Sequence, residues 1–206
     1  MKNRQTEKRK REKGFTLIEV VITLSVIAIL AAILVPLISQ NINSARIARA
    51  TGDVSTIGKA IVQFRQDTAQ WPIYRGPTVM SLLFSDIDSA NDGIPDTGAI
   101  PAATDATWNV AANLRLSLDY HLINYNTTVQ RGPSTNGLPS WNGPYLSKVS
   151  PDPWGNVYVV NSQGLTPGVN GIVYVLSAGP SNSAVIDVTY AGVIPAGSDD
   201  IVFRVQ

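Results

Sequence analysis

The sequence contains no cysteine and a single histidine, His121, among its 206 residues. The lack of cysteine excludes disulfide bonds and thiol-based catalysis, so an exported head would depend on packing or on a bound metal. One histidine with no serine and aspartate placed beside it by the sequence gives no basis for a Ser-His-Asp arrangement. We therefore expect a protein that is not an enzyme, with His121 on the surface of a helix.

Charged residues make up only 15% of the chain, and they are unevenly distributed. The first thirteen residues hold seven lysines and arginines against two glutamates, whereas the rest holds nine basic and thirteen acidic residues. This asymmetry is typical of a segment that orients a protein across a membrane, and it does not indicate nucleic-acid binding. We expect the basic end to remain in the cytoplasm.

An apolar run of 24 residues, from Phe15 to Ile38, follows the basic tail and Gly14. As a helix it would be about 36 Å long, enough to cross a hydrocarbon core of about 30 Å. The run is longer than the core of a secretory signal peptide and lacks its small-residue cleavage site, so a plain signal anchor is the simpler alternative. An anchor leaves Glu19 unexplained, because a carboxylate within a membrane is costly.

The segment Gly14-Phe15-Thr16-Leu17-Ile18-Glu19 resembles the class III signal sequence of type IV pilins and type II secretion pseudopilins. The resemblance implies that a prepilin peptidase cleaves between Gly14 and Phe15 and that Phe15 is then N-methylated. Cleavage would leave an ammonium about 6 Å along the helix from the Glu19 carboxylate, and opposite charges attract strongly in an apolar medium. The pair could form within one helix or, as the family implies, between Glu19 of one subunit and Phe15 of its neighbour.

The helix is predicted to continue beyond the apolar run to about Thr68. Apolar residues recur there at spacings of three and four, which is typical of a helix packed against a core. The stripe consists of Ile47, Ala50, Val54, Ile57, Ile61 and Phe64. Pro36 removes a backbone donor inside the helix, so we expect a kink or local unwinding there. Pro36 joins Glu19 and Phe15 as a residue expected to affect assembly.

Beyond Trp71-Pro72, short apolar stretches separated by proline, glycine and asparagine indicate a compact head with many turns. Apolar residues at every fourth position predict a second helix from Thr107 to Ile123. Valine, isoleucine and tyrosine predict strands at Asn156–Asn161, Ile172–Ser177, Ala184–Tyr190 and Ile201–Val205. A long helix followed by a small antiparallel sheet is an α+β arrangement, and the resemblance implies a pilin fold. The expected divisions are a removed leader (1–14), a membrane-spanning half-helix (15–38), an amphipathic half-helix (39–68) and a head (69–206).

A second resemblance lies in the head. The segments Trp141-Asn142-Gly143-Pro144-Tyr145-Leu146 and Pro151-Asp152-Pro153-Trp154-Gly155-Asn156-Val157-Tyr158 are similar to the GGYL and DPWGNPY segments of the major pseudopilin of type II secretion, with Val157 in place of proline. We expect a structural role here, in which Pro153 and Gly155 shape a tight turn and Trp154 packs a large side chain.

Calcium is the candidate cofactor, and two acidic segments could bind it. In the major pseudopilin family, aspartates and carbonyls of a C-terminal loop bind calcium, and the matching segments here include Asp199 and Asp200. Ser181 stands where the family has an aspartate, so the ligand set is incomplete. A solvated acidic turn is the alternative.

The other candidate is an aspartate-rich loop between the two helices predicted from the sequence. Asp88, Asp92 and Asp96 occupy positions one, five and nine of a calcium-type loop, and Gly93 occupies position six, where such loops turn sharply. Alanine at position three and the lack of an acidic residue at position twelve depart from that pattern. A surface turn rich in Asp, Asn, Gly and Pro explains the segment equally.

These features predict a structural subunit of a type II secretion pseudopilus, polymerised through its N-terminal helix to drive protein export. A type IV pilin or minor pilin of a surface filament is the alternative, and a monomeric anchored module or enzyme is a third possibility. The resemblance implies identical or related pilin subunits, a prepilin peptidase and an inner-membrane assembly platform as partners. The subunit would cross the inner membrane once, with its N-terminus in the cytoplasm and its head in the periplasm, before entering an extracytoplasmic filament.

Overall fold

The computed structural model describes residues 14–90, 92–124, 137, 139–148, 150–169, 171–180 and 185–206. Most of the predicted leader, together with Ser181 and Ala184, lies outside these residues. The chain divides into two compact units, one ending at Ile42 and the other running from Asn43 to Gln206. A single helix, α1 (Leu17–Thr68), contributes residues to both units.

The part of α1 in the first unit is apolar and exposed. By length and composition α1 could cross a membrane, since an 18-residue window reaches a mean hydropathy of 2.9. The hydroxyls of Thr23 and Ser25 donate to backbone carbonyls one turn earlier, so these polar groups are satisfied within the helix. The helix continues through Pro36, and the predicted local unwinding there is not observed.

The part of α1 in the second unit packs one face against the head. Its buried residues are Ala50, Val54, Ile57, Gly58, Ala60, Ile61, Phe64 and Thr68. The predicted stripe and the end of the helix at Thr68 are therefore confirmed, except that Ile47 remains exposed. The helix ends where Ala69 adopts a left-handed conformation, with φ of 57°.

Nine short strands complete the part of the head that the structure describes. They are β1 (Tyr74–Arg75), β2 (Thr78–Val79), β3 (Leu82–Phe84), β4 (Ala102–Ala103), β5 (Arg115–Ser117), β6 (Val159–Asn161), β7 (Tyr174–Ser177), β8 (Val185–Ile186) and β9 (Ile201–Arg204). The main sheet has the order β5-β3-β6-β7-β9. The α+β layout is confirmed, but the sheet is mixed and not antiparallel, because β3 and β5 run parallel with Leu83 opposite Leu116.

Both faces of the main sheet are buried, which explains why its strands read as continuous apolar runs. Leu83, Val160 and Val175 belong to the core cluster that contains the buried face of α1. Their neighbours along the strands belong to a second cluster, formed with Trp108, Val188 and Tyr190. The second cluster consists of Leu82, Phe84, Trp108, Val110, Val157, Val159, Leu176, Ala178, Ile186, Val188 and Tyr190.

Three of the four predicted strands lie in this sheet. β9 and β7 fall within the predicted ranges 201–205 and 172–177, and β6 forms only the last half of 156–161. The range 184–190 contains the two-residue strand β8, which pairs in parallel with β4 outside the main sheet.

The predicted helix over Thr107–Ile123 is wrong. The structure has 3₁₀ turns at Ala106–Trp108 and Ala112–Leu114, then β5, then the one-turn helix α2 (Asp119–Leu122). Val110 packs in the second core cluster, whereas Leu118 and Leu122 pack in the cluster that contains α1. The apolar residues thus reach opposite faces of the sheet, which one straight helix could not do.

Two glycines in α1 have different surroundings. Gly58 is buried, and a Cβ atom added there would overlap the ring of Phe203 on β9. Gly52 is exposed, and no atom of the described residues lies within 4 Å of the position that its Cβ would take. Gly58 therefore allows β9 to lie directly on the helix, whereas Gly52 has no packing role in the subunit.

Alanine at these two positions is expected to change stability in opposite directions. Gly52→Ala should raise the free energy of unfolding by about 0.5–1 kcal/mol, because glycine disfavours helix interiors. Gly58→Ala should lower it by about 1–3 kcal/mol, since the methyl group overpacks the core against Phe203. Thermal unfolding of the detergent-solubilised chain measures both, and a Gly58→Ala variant as stable as the wild type would contradict the packing.

Candidate functional site

The first turn of α1 is closed by a reciprocal pair of polar residues. The Glu19 carboxylate Oε2 accepts hydrogen bonds from the Thr16 backbone N–H (3.0 Å) and hydroxyl (2.9 Å). The Glu19 backbone N–H in turn lies 3.3 Å from the Thr16 hydroxyl oxygen. This is a capping box, in which two otherwise unbonded N–H groups of a helix start are satisfied. The spacing Thr-x-x-Glu was present in the sequence, but the role of Thr16 was missed.

Gly14 and Phe15 precede the helix and are exposed, with 87% of the Phe15 surface accessible. The bond between them is therefore outside regular secondary structure, as a peptidase substrate requires. While Phe15 remains linked to Gly14 it has no ammonium, and Glu19 is bonded to Thr16. The predicted contact between Glu19 and a Phe15 amine applies to the cleaved chain and stays a prediction.

The segment from Asp152 to Tyr158 is held by a buried carboxylate. Oδ1 of Asp152 accepts the backbone N–H groups of Trp154 and Asn156, each at 2.9 Å, and Oδ2 accepts the Ser177 hydroxyl at 2.6 Å. Gly155 has φ of 95°, which confirms the predicted tight turn. Trp154 packs against the core but is only partly buried. Asp152 was not identified as important from the sequence, since its partner Ser177 is distant along the chain.

The same segment is bonded to α1 through Tyr158. The buried Tyr158 hydroxyl donates to Oδ2 of Asp53 at 2.8 Å, and Arg49 lies 3.4 Å from that carboxylate oxygen. Arg49 also lies 3.4 Å from the Pro151 carbonyl oxygen. Burial and the Asp53 carboxylate raise the pKa of Tyr158, so its hydroxyl remains a donor. Two charged residues of the helix thus hold the segment in place.

His121 is buried, so the predicted surface position is wrong. Its Nε2 atom lies 2.9 Å from the Tyr74 carbonyl oxygen, and its ring meets Phe64 edge-on with centroids 5.5 Å apart. Burial lowers the pKa of His121 to about 4, and the neutral ring donates from Nε2. Both neighbours are distant in sequence, which is why the helical pattern gave no indication of burial.

In the aspartate-rich loop, the carboxylates bond mainly to the loop's own backbone. Asp88 is buried, and its two oxygens accept the N–H groups of Asp92 and Gly93. Oδ2 of Asp88 also lies 3.9 Å from the Arg75 guanidinium. Asp96 accepts the Ser89 N–H and hydroxyl. A cation beside Asp88 would have to compete with these donors and with the positive charge of Arg75.

One oxygen of the Asp200 carboxylate accepts hydrogen bonds, and the other has no hydrogen-bond partner among the described residues. Oδ2 accepts the N–H groups of Asp187 (2.7 Å) and Val188 (2.8 Å). Oδ1 is buried without a hydrogen-bond partner in the described part of the chain. A Cβ atom added at Gly179 would overlap the Asp199 carbonyl, so the two turns lie in close contact. Within the described ranges, no group of three or more acidic or histidine side chains is placed to hold a metal ion.

Comparisons with known proteins match the N-terminal segment and part of the head. Residues 9–35 match the family described as "Prokaryotic N-terminal methylation motif", and residues 103–187 match "Type II secretion system (T2SS), protein G". The chain is similar to the type II secretion system core protein G of Pseudomonas aeruginosa, with 26% identity over 79% of this chain and 80% of that protein. The core protein G of Escherichia coli is 25% identical, covering 82% and 83%, and that of Klebsiella pneumoniae 22%, covering 93% and 94%. No solved structure matches the chain.

Replacing Asp152 by alanine is expected to destabilise the head strongly. The change leaves two backbone N–H groups and the Ser177 hydroxyl without their acceptor, at a cost of about 2–4 kcal/mol. Asp92→Ala is the matched control, because Asp92 is exposed and its side chain accepts just the Ile94 N–H among the residues that the structure describes. Chemical denaturation of the two variants checks this, and an equal loss in both would contradict the role of Asp152.

Proposed function

We propose that this chain is a structural subunit of a type II secretion pseudopilus, because it matches an N-terminal methylation motif at its apolar helix and is similar to core protein G over most of its length. The observation that carries the proposal is the order of the two matches, a methylation motif at the apolar helix and a protein G match in the head. The head match favours a secretion pseudopilus over a surface pilus. The family is one of structural subunits and not of enzymes.

Processing and orientation follow from the N-terminal residues. A prepilin peptidase cleaves between Gly14 and Phe15 and methylates Phe15, and the basic tail remains in the cytoplasm until that cut. The exposed Gly14–Phe15 bond and the exposed apolar surface of α1 support this sequence of events. The head then lies in the periplasm, and the inner-membrane assembly platform adds the subunit to a filament of identical or related subunits.

The Thr16–Glu19 capping box supports a defined role for Glu19 in assembly. Before cleavage, two hydrogen bonds from Thr16 stabilise the carboxylate in an apolar surrounding. Cleavage adds an ammonium at Phe15, and Glu19 then has a charged partner on its own helix or on the next subunit. Leaving a carboxylate unpaired in that layer would be the costlier state, so packing of subunits around Glu19 is favoured.

Glu19→Ala is expected to leave processing intact and to stop filament formation. Mass spectrometry should find both the wild type and the variant beginning at methylated Phe15, since the scissile bond is unchanged. Electron microscopy of sheared cells that overproduce the secretion system should show filaments with the wild type alone. Glu7→Ala, in the leader, is the control and should assemble normally.

Two results would contradict this assignment separately. A mature chain that begins elsewhere than at Phe15 would remove the pilin-type processing. Normal filaments from Glu19→Ala would leave the processing intact but remove the assembly role of the carboxylate.

Calcium binding at Asp200 is a second part of the proposal. Its free, buried Oδ1 atom is a hard oxygen donor of the kind that calcium prefers. Burial raises the pKa of Asp200, so its ionised form is disfavoured and a bound cation would offset that cost. Asp88 and Asp96 fit less well, because both oxygens of each already accept hydrogen bonds and Asp88 also lies beside Arg75. Asp92 fits less well because it is exposed. Asp199 and Ser198 are the neighbouring oxygen donors.

Calcium should raise the melting temperature of the detergent-solubilised chain, and a chelator should reverse the increase. Asp200→Asn should abolish the calcium-dependent shift, because the amide removes the negative charge that the cation needs. Asp92→Asn is the matched control and should retain the shift. A shift that persists in Asp200→Asn but disappears in Asp92→Asn would place the cation in the aspartate-rich loop instead.

A further inference from the structure

A pocket of about 500 Å³ lies in the head between β4 and the start of β5. One part of its wall is apolar and consists of Pro101, Ala102 and Ala103. Another part is formed by Trp108, Asn109 and Arg115. The volume falls within the range of about 300–1,000 Å³ that is usual for small organic ligands. Neither the helix start nor the Asp200 turn contributes to this pocket.

Arg115 is the first residue of β5 and is partly buried. Its Nε donates to the Val110 carbonyl oxygen at 2.7 Å. The ion pairs among the described residues join Arg49 to Asp53 and Arg75 to Asp88, so no described carboxylate pairs with Arg115. Buried charges are ordinarily paired, and a guanidinium without a carboxylate at a pocket wall is an open site for an anion.

Asp105 also lines the pocket, but its carboxylate already has partners. Oδ1 accepts the Thr107 N–H at 2.9 Å, and Oδ2 accepts the Tyr190 N–H at 3.0 Å. Burial lowers the pKa of Arg115, and no acidic neighbour counteracts this effect. Asp105 forms no ion pair with Arg115 among the described residues, so the guanidinium remains available to an anion.

We propose that this pocket binds an organic carboxylate with a short apolar body, either a free small acid or the C-terminal carboxylate of a peptide. The guanidinium has two terminal nitrogens that can form paired hydrogen bonds to the two oxygens of a carboxylate. The apolar body of the ligand packs on Pro101, Ala102 and Ala103. The site lies on the head, so it can be occupied without any change at Glu19.

The test uses three probes and the full chain in detergent. The probes are acetyl-Ala-Ala-Val with a free carboxylate, the same peptide as its C-terminal amide, and N-acetylvaline. Isothermal titration should show saturable binding of the free-carboxylate peptide and at least tenfold weaker binding of the amide, since a charge-assisted contact is lost. N-acetylvaline binding as tightly as the peptide identifies a small acid as the ligand, whereas a preference above tenfold for the peptide identifies a peptide terminus.

Two substitutions of Arg115 test the role of the guanidinium. Arg115→Gln should weaken binding of the free carboxylate at least tenfold, and Arg115→Lys should weaken it less, because it keeps the charge but not the paired geometry. Arg46→Gln removes the same charge from the exposed side of α1 and should bind as the wild type does. If Arg115→Gln does not fold, the binding affinities of Arg115→Lys and Arg46→Gln for the free carboxylate are compared instead. Weaker binding by Arg115→Lys alone would support the role of the Arg115 guanidinium.

Three results would overturn the proposal. The first is equal binding of the amide and the free carboxylate. The second is unchanged binding after substitution of Arg115. The third is a lack of saturation at about 10 mM probe, because such binding would be too weak for a specific site.

Discussion

Aspartate carboxylates bind the backbone N–H groups that the short strands of the head leave without partners. Asp86 holds the loop that follows β3 by accepting N–H groups of Ile87, Thr97 and Gly98. Asp152 does the same for the turn before β6. An unbonded buried N–H costs about 1–3 kcal/mol, so a head built from strands of two to four residues depends on such acceptors. A chain without cysteine has no covalent substitute for them.

The same constraint governs the apolar helix. Two hydrogen bonds from Thr16 stabilise the Glu19 carboxylate in this helix. The same carboxylate satisfies the Thr16 backbone N–H, which the start of the helix leaves without a partner. The residue that the proposed assembly requires thus has a hydrogen-bond partner within its own subunit. The proposed cleavage after Gly14 would add a charged partner, so processing and polymerisation could proceed as separate steps.

Local periodicity predicted α1, its end at Thr68 and most of its buried face, since these depend on residues close in sequence. The strands β7 and β9 were recognisable for the same reason. The prediction of a helix from Thr107 to Ile123 was wrong because the apolar residues of this region pack in two core clusters on opposite faces of the sheet. Burial of His121 and the role of Asp152 depend on partners 47 and 25 positions away, which no pattern in one sequence indicates. The Thr16–Glu19 capping box is a local pattern, and its Thr-x-x-Glu spacing alone is sufficient to predict it.

Phe203 covers Gly58, and this contact joins the two ends of the second unit. During synthesis the helix is complete long before β9 exists, so its buried face must wait for residues that appear almost last. Until then, the surface of α1 at Gly58 lacks the ring that later covers it. Covering of this part of the helix therefore depends on the C-terminal strand, and a chain that stops before residue 203 would leave Gly58 without the ring that packs on it.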